Sequence, residues 1–229
     1  MTRHFIPGDP PVEVILRRSA RARRISLRVS SLDGRVTLTC PNGVSEDEAL
    51  GFAREKADWM RGHLMKRPDE VVVGHGAAVP FRGRMIRIMP GTGRAIRIID
   101  DRAEVPGAPA QAGRRMQAYL RETARARLAE ACDTHARALG RPYSKLTLRD
   151  TRSRWGSCTS QGGLMFSWRL IMVPDAVLDY VAAHEVAHLG EMNHSPRFWA
   201  LVERLYGDHR AARKWLRQNG PELHRYRFD

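Results

Sequence analysis

The stretch AAHEVAHLGEMNHSPRFW, residues 182–199, restricts this chain more than any other segment. Residues four apart on an α-helix lie one turn apart in height and about 40° apart around the axis. If the stretch begins as a helix, His184 and His188 therefore present two imidazoles on one side, with Glu185 on the adjoining flank. Two imidazoles so spaced can reach one metal ion, and the carboxylate can take a proton from a metal-bound water without being a ligand. Neighbouring residues favour the helix. Pro174 and Asp175 suit its first turn, where proline is tolerated and negative charge meets the positive end of the dipole. Val177, Leu178, Val181, Val186 and Leu189 supply apolar flanks, and Ala182, Ala183 and Ala187 permit close packing.

A catalytic zinc takes three protein ligands and leaves one position open. His194 is the candidate third, but an unbroken helix would carry it about 9 Å along the axis from His188. The chain must bend between them. Gly190 and Asn193 are residue types that end helices, and Ser195-Pro196 reads as the cap and first position of a new one. Glu203, on that second helix, is the rival third ligand. Phe198, Trp199, Val202 and Leu205 fall at helical spacing and read as packing behind the site.

The segments upstream suggest a β-rich half. VEVILRR (12–18) and RISLRVS (24–30) alternate apolar and polar residues, as half-buried strands do, and Asp33-Gly34 marks a turn into a third strand. Ser45 and Glu48 form a capping box for a helix whose apolar face is Leu50, Ala53, Ala57, Met60 and Leu64, ended by Pro68. Short strands follow in VVVGHG, RMIRIM and RAIRIID. Residues 101–113, rich in Pro and Gly, read as a linker, so the expected domains are 1–105 and 111–229. The second half reads as a long helix from Arg114 to Leu139, strands in KLTLRD and GLMFSWRLIM, the histidine helix, then two more helices. No internal repeat is evident. The class is α+β, with an antiparallel N-terminal half bearing one helix.

No apolar run is long enough to span a bilayer, and the N-terminus lacks the features of a signal peptide. Cys40, Cys132 and Cys158 are odd in number and far apart, which gives neither a disulfide framework nor a CxxC clip. A cytoplasmic location is expected. The formal charge of +14 comes almost wholly from arginine. Arg17, Arg18, Arg21, Arg23, Arg24 and Arg28 crowd an expected hairpin, which is either merely solvated or a patch for nonspecific nucleic-acid binding.

The histidine spacing is similar to HExxHxxGxxH of the metzincins. The glycine, however, is at Gly190 rather than residue 191, and no methionine follows Met192 to make the downstream Met-turn. A better match is TRSRWGSCTSQGGLMFSWRLIMVPDAVLDYVAAHEVAHLGEMNHSPRFWALVERLYGD, which resembles the signature region of the YgjP-like metallopeptidases, bacterial proteins related to SprT-like and Wss1-like zinc peptidases. RWGSC, WRL and HExxHxxxxxH occur in order, and residues 14–60 resemble that family's basic hairpin and helix. Where the family pattern expects a polar amide before Trp168, this chain has Ser167. The resemblance implies a zincin-like C-terminal half with an HExxH active-site helix, zinc held by His184, His188 and His194, and Glu185 as catalytic acid/base.

The expected function is thus a zinc metallopeptidase, in which Glu185 acts as general base on zinc-bound water. Arg152, Arg154, Trp155 and Gly156 are the candidate substrate-binding residues, the arginines as donors and the glycine allowing close backbone approach. Tyr206, His209 and His224 are weaker donor candidates. The family is also linked to nucleoside triphosphate pyrophosphatase chemistry, which the arginines would suit, so the substrate is a peptide or a nucleotide. A third reading, a nucleic-acid-binding module with structural zinc, has Glu185 and the three-ligand count against it.

Overall fold

A computed structural model of the chain describes residues 2–30, 34–65 and 69–229. It divides into two compact units, Met1–Asp69 and Glu70–Asp229, each with its own apolar core.

In the first unit, β1 (Thr2–Ile6), β2 (Val12–Arg18), β3 (Ser26–Val29) and β4 (Val36–Cys40) form a sheet of order β1-β2-β4-β3. Val12, Val14 and Leu16 alternate inward along β2, as do Val36, Leu38 and Cys40 along β4. Helices α1 (Glu46–Glu55) and α2 (Ala57–Met65) close this core with Ala49, Leu50, Ala53 and Met60. The cap at Ser45 forms, its hydroxyl accepting from the Glu48 N–H at 3.1 Å. Three expectations are corrected. The single helix is two, interrupted at Lys56. The basic hairpin does not pair with itself: β4 lies between β2 and β3, because its inward side chains belong at the centre and the half-exposed β3 belongs at the edge. The half is not purely antiparallel either, since β2 and β4 run parallel. Asp33 and Pro68 lie outside the described residues.

The second unit opens with β5 (Val71–Val72), then β6 (Ala78–Phe81), β7 (Arg84–Gly91), β8 (Arg97–Ile99) and β9 (Arg102–Pro106). The last four form a sheet of order β6-β7-β9-β8. Its strand directions, antiparallel, parallel and antiparallel, repeat those of the first sheet. The chain therefore contains a topological repeat that its sequence hides. Strand β9 occupies the segment expected to be a linker. Its Ala103 and Val105 are buried in the same core as Met116 and Leu120, so the compact units divide at 69/70 and not at 101–113.

Helix α3 (Ala112–Leu139) runs through this core and stops at Gly140, whose φ of 75° suits a residue without Cβ. Three strands follow, β10 (Lys145–Arg149), β11 (Gly156–Cys158) and β12 (Gly163–Ser167), in the order β10-β12-β11. The strand expected over 163–172 ends at Ser167, whose hydroxyl accepts from the Arg169 N–H and starts a 3-10 turn, Trp168–Met172. Helices α4 (Asp175–Ala187), α5 (Pro196–Tyr206) and α6 (Arg210–Asn219) come next. Strand β13 (Tyr226–Arg227) returns to pair with β5. The molecule is α+β, β-rich first and helical later. The three cysteines are free, and no described helix is long and apolar enough to cross a membrane.

Candidate metal centre

Helix α4 is aimed by what packs on its first turn. The β6–β7 turn, Arg82-Gly83, bonds to the carbonyls of Ile171 and Met172, and Arg82 grips Asp175 with Nε at 3.0 Å. A Cβ on Gly83 would lie 2.9 Å from Pro174 Cα, and its φ is 79°. Glycine permits this approach on both counts.

His184 and Glu185 lie in the last turns of α4, and His188 is its C-terminal cap. The helix stops there. The chain turns through 189–194, and Ser195 caps α5 by accepting from the Phe198 N–H at 3.3 Å, with Pro196 in the first position. Asn193 Oδ1 accepts from the Ser195 N–H at 3.0 Å and tightens the bend. Gly190 serves by its smallness, since a Cβ there would sit 2.9 Å from Leu201 Cδ1.

The bend brings His194 back to the helix. The ligand-capable atoms of His184, His188 and His194 all lie within 4.8 Å of one another, and Nε2 of His184 is 3.2 Å from Nε2 of His194. Two nitrogens on a tetrahedral ion at ordinary zinc–nitrogen distances would be about 3.3 Å apart. The fit is close. His188 Nδ1 lies 3.0 Å from the Glu191 carbonyl, to which it donates, leaving Nε2 as its acceptor nitrogen. Burial, assisted by the neighbouring imidazoles, pushes the His184 pKa down to about 3, and burial also lowers that of His188. Both rings are thus neutral at pH 7, the form that binds a cation. Phe198 packs against all three rings and is fully buried; its centroid is 4.4 Å from that of His188. Glu203 is not among these ligand-capable residues; it is exposed, on the Arg210 side of the helices.

Glu185 is buried beside this cluster, 6% exposed. Burial raises its pKa to about 8, with the charge of Arg154 acting the other way. A Cβ on Gly156 would come within 2.6 Å of Glu185 Cγ and Oε1. Strand β11 thus begins against the carboxyl group, and only glycine leaves the space. Arg152 and Arg154 are exposed. Trp155 is a packing residue: its ring lies against His224, 5.6 Å between centroids, and against the Cα side of Gly220. His209 is stacked between Tyr180 and Trp199, and the Tyr206 hydroxyl donates to the Ala176 carbonyl.

One supporting residue is not legible as such in the sequence. Arg169 is buried, pairs with Asp150 at 2.7 Å, and donates to the carbonyls of Leu223 and Tyr226. It ties the C-terminus to the loop that carries Arg152 and Arg154. An arginine within an apolar run is the available signal.

No curated protein matches the chain. Among solved structures, the crystal structure of the metallopeptidase zymogen of Pyrococcus abyssi abylysin is 20% identical, with a TM-score of 0.36 over 41% of this chain and 92% of that one. A family model described as YgjP-like, metallopeptidase domain, matches residues 23–219, through both units and the entire histidine cluster. This chain belongs to the YgjP-like metallopeptidase family.

Proposed function

We propose that this chain is a zinc-dependent peptidase of zincin type, with His184, His188 and His194 as metal ligands and Glu185 as general base. The observation that carries the reading is the pair of imidazole nitrogens 3.2 Å apart, with a third imidazole in reach, beside a buried carboxyl group. Three imidazole nitrogen donors suit zinc among the common divalent ions. Once bound, such an ion acidifies coordinated water and polarises a carbonyl. Its positive charge would also draw the Glu185 pKa down towards the range in which a base works at neutral pH.

The remaining steps belong to the chain. Glu185 accepts a proton at its carboxylate as water adds to the scissile carbonyl, and returns it to the leaving amine. Strand β11 is the outer strand of its sheet, and its first residue abuts that carboxylate. An extended peptide pairing with β11 would satisfy its backbone groups as an added strand does. Arg154, exposed and electrostatically coupled to Glu185, would face the developing negative charge. The free thiols fit a reducing compartment, and we place the protein in the cytoplasm.

The test compares the parent protein with Glu185→Gln and His194→Ala on a peptide library and a nucleoside triphosphate panel, with zinc measured throughout. Glu185→Gln should lose about 10²- to 10⁴-fold in peptide turnover and keep its zinc. His194→Ala should bind less zinc. Glu185-dependent release of diphosphate from nucleotides, without peptide cleavage, would replace this reading with the pyrophosphatase. Zinc bound without either activity would replace it with a structural site.

A further inference from the structure

The first sheet has one covered face and one open face. Inward residues of β2 and β4 pack beneath α1 and α2. The outward residues fall into register across all four strands: Arg3 opposite Ile15, Ile15 opposite Thr37, and Thr37 opposite Arg28. That row places a guanidinium at each edge and a small apolar and hydroxyl surface between. Strands about 4.8 Å apart make it about 14 Å wide. Arg17 extends the row's charge on one side, and Phe5 lies on the other, 69% exposed.

Two features separate this face from an ordinary solvated surface. Part of its charge is unneutralised: Glu13, opposite Phe5 in register, pairs with Arg3 at 3.2 Å, but among the described residues neither Arg17 nor Arg28 has a carboxylate partner. In the second sheet, of the same topology, Arg97 pairs with Glu104 at 2.7 Å, Arg102 lies 3.7 Å from Asp101, and Arg87 donates to the Gly76 carbonyl at 3.0 Å. The second feature is an aromatic ring left in water amid the charge. Planar guanidinium groups match phosphate oxygens, and an exposed ring offers a stacking surface to a base. A duplex keeps its bases stacked on one another and has none to offer such a ring, whereas single strands splay theirs. Two apolar side chains are too few to anchor the face in a lipid bilayer.

We infer that the open face of the first sheet, built from Arg3, Arg17, Arg28, Phe5 and Ile15, binds single-stranded nucleic acid, with Arg17 and Arg28 on phosphates and Phe5 stacked on a base. The inference stands apart from the metal centre, all of whose residues lie in the other unit.

The full chain would be titrated against a fluorescent oligothymidylate by anisotropy over a series of potassium chloride concentrations. Arg17→Ala/Arg28→Ala should weaken binding and reduce the slope of log affinity against log salt by about 1.4, about 0.7 for each phosphate no longer neutralised. Phe5→Ala should weaken binding about fivefold or more and leave the slope unchanged. Arg97→Ala/Arg102→Ala, which removes equal charge from the second sheet, should bind as the parent does. All five side chains are exposed, and far-UV circular dichroism checks each variant's fold. Equal weakening by the two arginine pairs would reduce the effect to bulk charge and overturn the proposal. So would a duplex bound as tightly as the single strand, or phosphatidylserine vesicles or polyglutamate displacing the oligonucleotide at equal charge.

Discussion

At the scale of single residues, the sequence reveals what local geometry dictates. The helical interval between His184 and His188, and the stop signals Gly190, Asn193, Ser195 and Pro196, are properties of a few adjacent residues. The structure brings the three histidines together across the break between α4 and α5. Gly156 matters for a different reason than its sequence suggests. A glycine there reads as room for backbone to approach a substrate, but the neighbour that needs its space is Glu185, 29 positions away in sequence and invisible to local reasoning. This yields a sharp expectation. Gly156→Ala puts a methyl where the Glu185 carboxyl group now lies, and the carboxyl must move. A displacement of about 1 Å costs catalytic geometry about a hundredfold. Peptide kcat/KM should fall by about that factor while zinc per chain, measured by atomic absorption, stays at the parent level. Undiminished turnover would mean that Glu185 does not act from its present position.

At the scale of elements, the strands and helices with strong periodicity are legible, and those set by distant partners are not. In GLMFSWRLIM, Leu164, Phe166, Trp168 and Leu170 fall on alternate positions, yet the strand ends at Ser167, which caps a 3-10 turn that carries Arg169 into the interior. There it answers Asp150 and two carbonyls of the C-terminal segment, which no local pattern reveals. Arg169→Met would leave those carbonyls without their donor, a cost of about 3 kcal/mol in urea denaturation; a change within error would show that water replaces the guanidinium. The same segment supplies a pH dependence. His224 packs against Trp155, and burial, reinforced by the charge of Arg169, lowers its pKa from 6.5 to about 4. Below about pH 6.5 the unfolded chain binds a proton that the folded chain refuses. Stability from this group is therefore complete at neutral pH, declines as pH falls towards about 4, and levels off below it. His224→Gln, which cannot take that proton, should show a smaller fall in urea midpoint between about pH 7 and about pH 4.5. An equal fall in both proteins would assign the acid sensitivity elsewhere.

At the scale of the whole molecule, nothing in the sequence hints that two four-stranded sheets share one strand order. The reason is physical: topology depends on which strand becomes central, and that is decided by the number of inward side chains it can bury, not by matching residues. Hence VTLTC and RAEVP take equivalent places with little in common, and the proline- and glycine-rich end of the second has the composition of a linker. The two cores share no residue, and the three clustered histidines all lie in Glu70–Asp229. A chain beginning at Glu70 should therefore fold alone and bind one zinc per molecule, with a single cooperative transition in guanidinium chloride. The starting point matters. Strand β5 pairs with β13, Val73 N–H donates to the Arg227 carbonyl at 2.7 Å, and Glu70 pairs with Arg227 at 3.2 Å. A chain beginning at Gly74 has none of these bonds and leaves β13 without its partner strand. It should unfold at lower denaturant than the Glu70 chain while still carrying all three histidines of the candidate metal centre. Equal midpoints would show that the C-terminal segment needs no partner strand, and failure of the Glu70 chain to fold would show that the second core depends on the first.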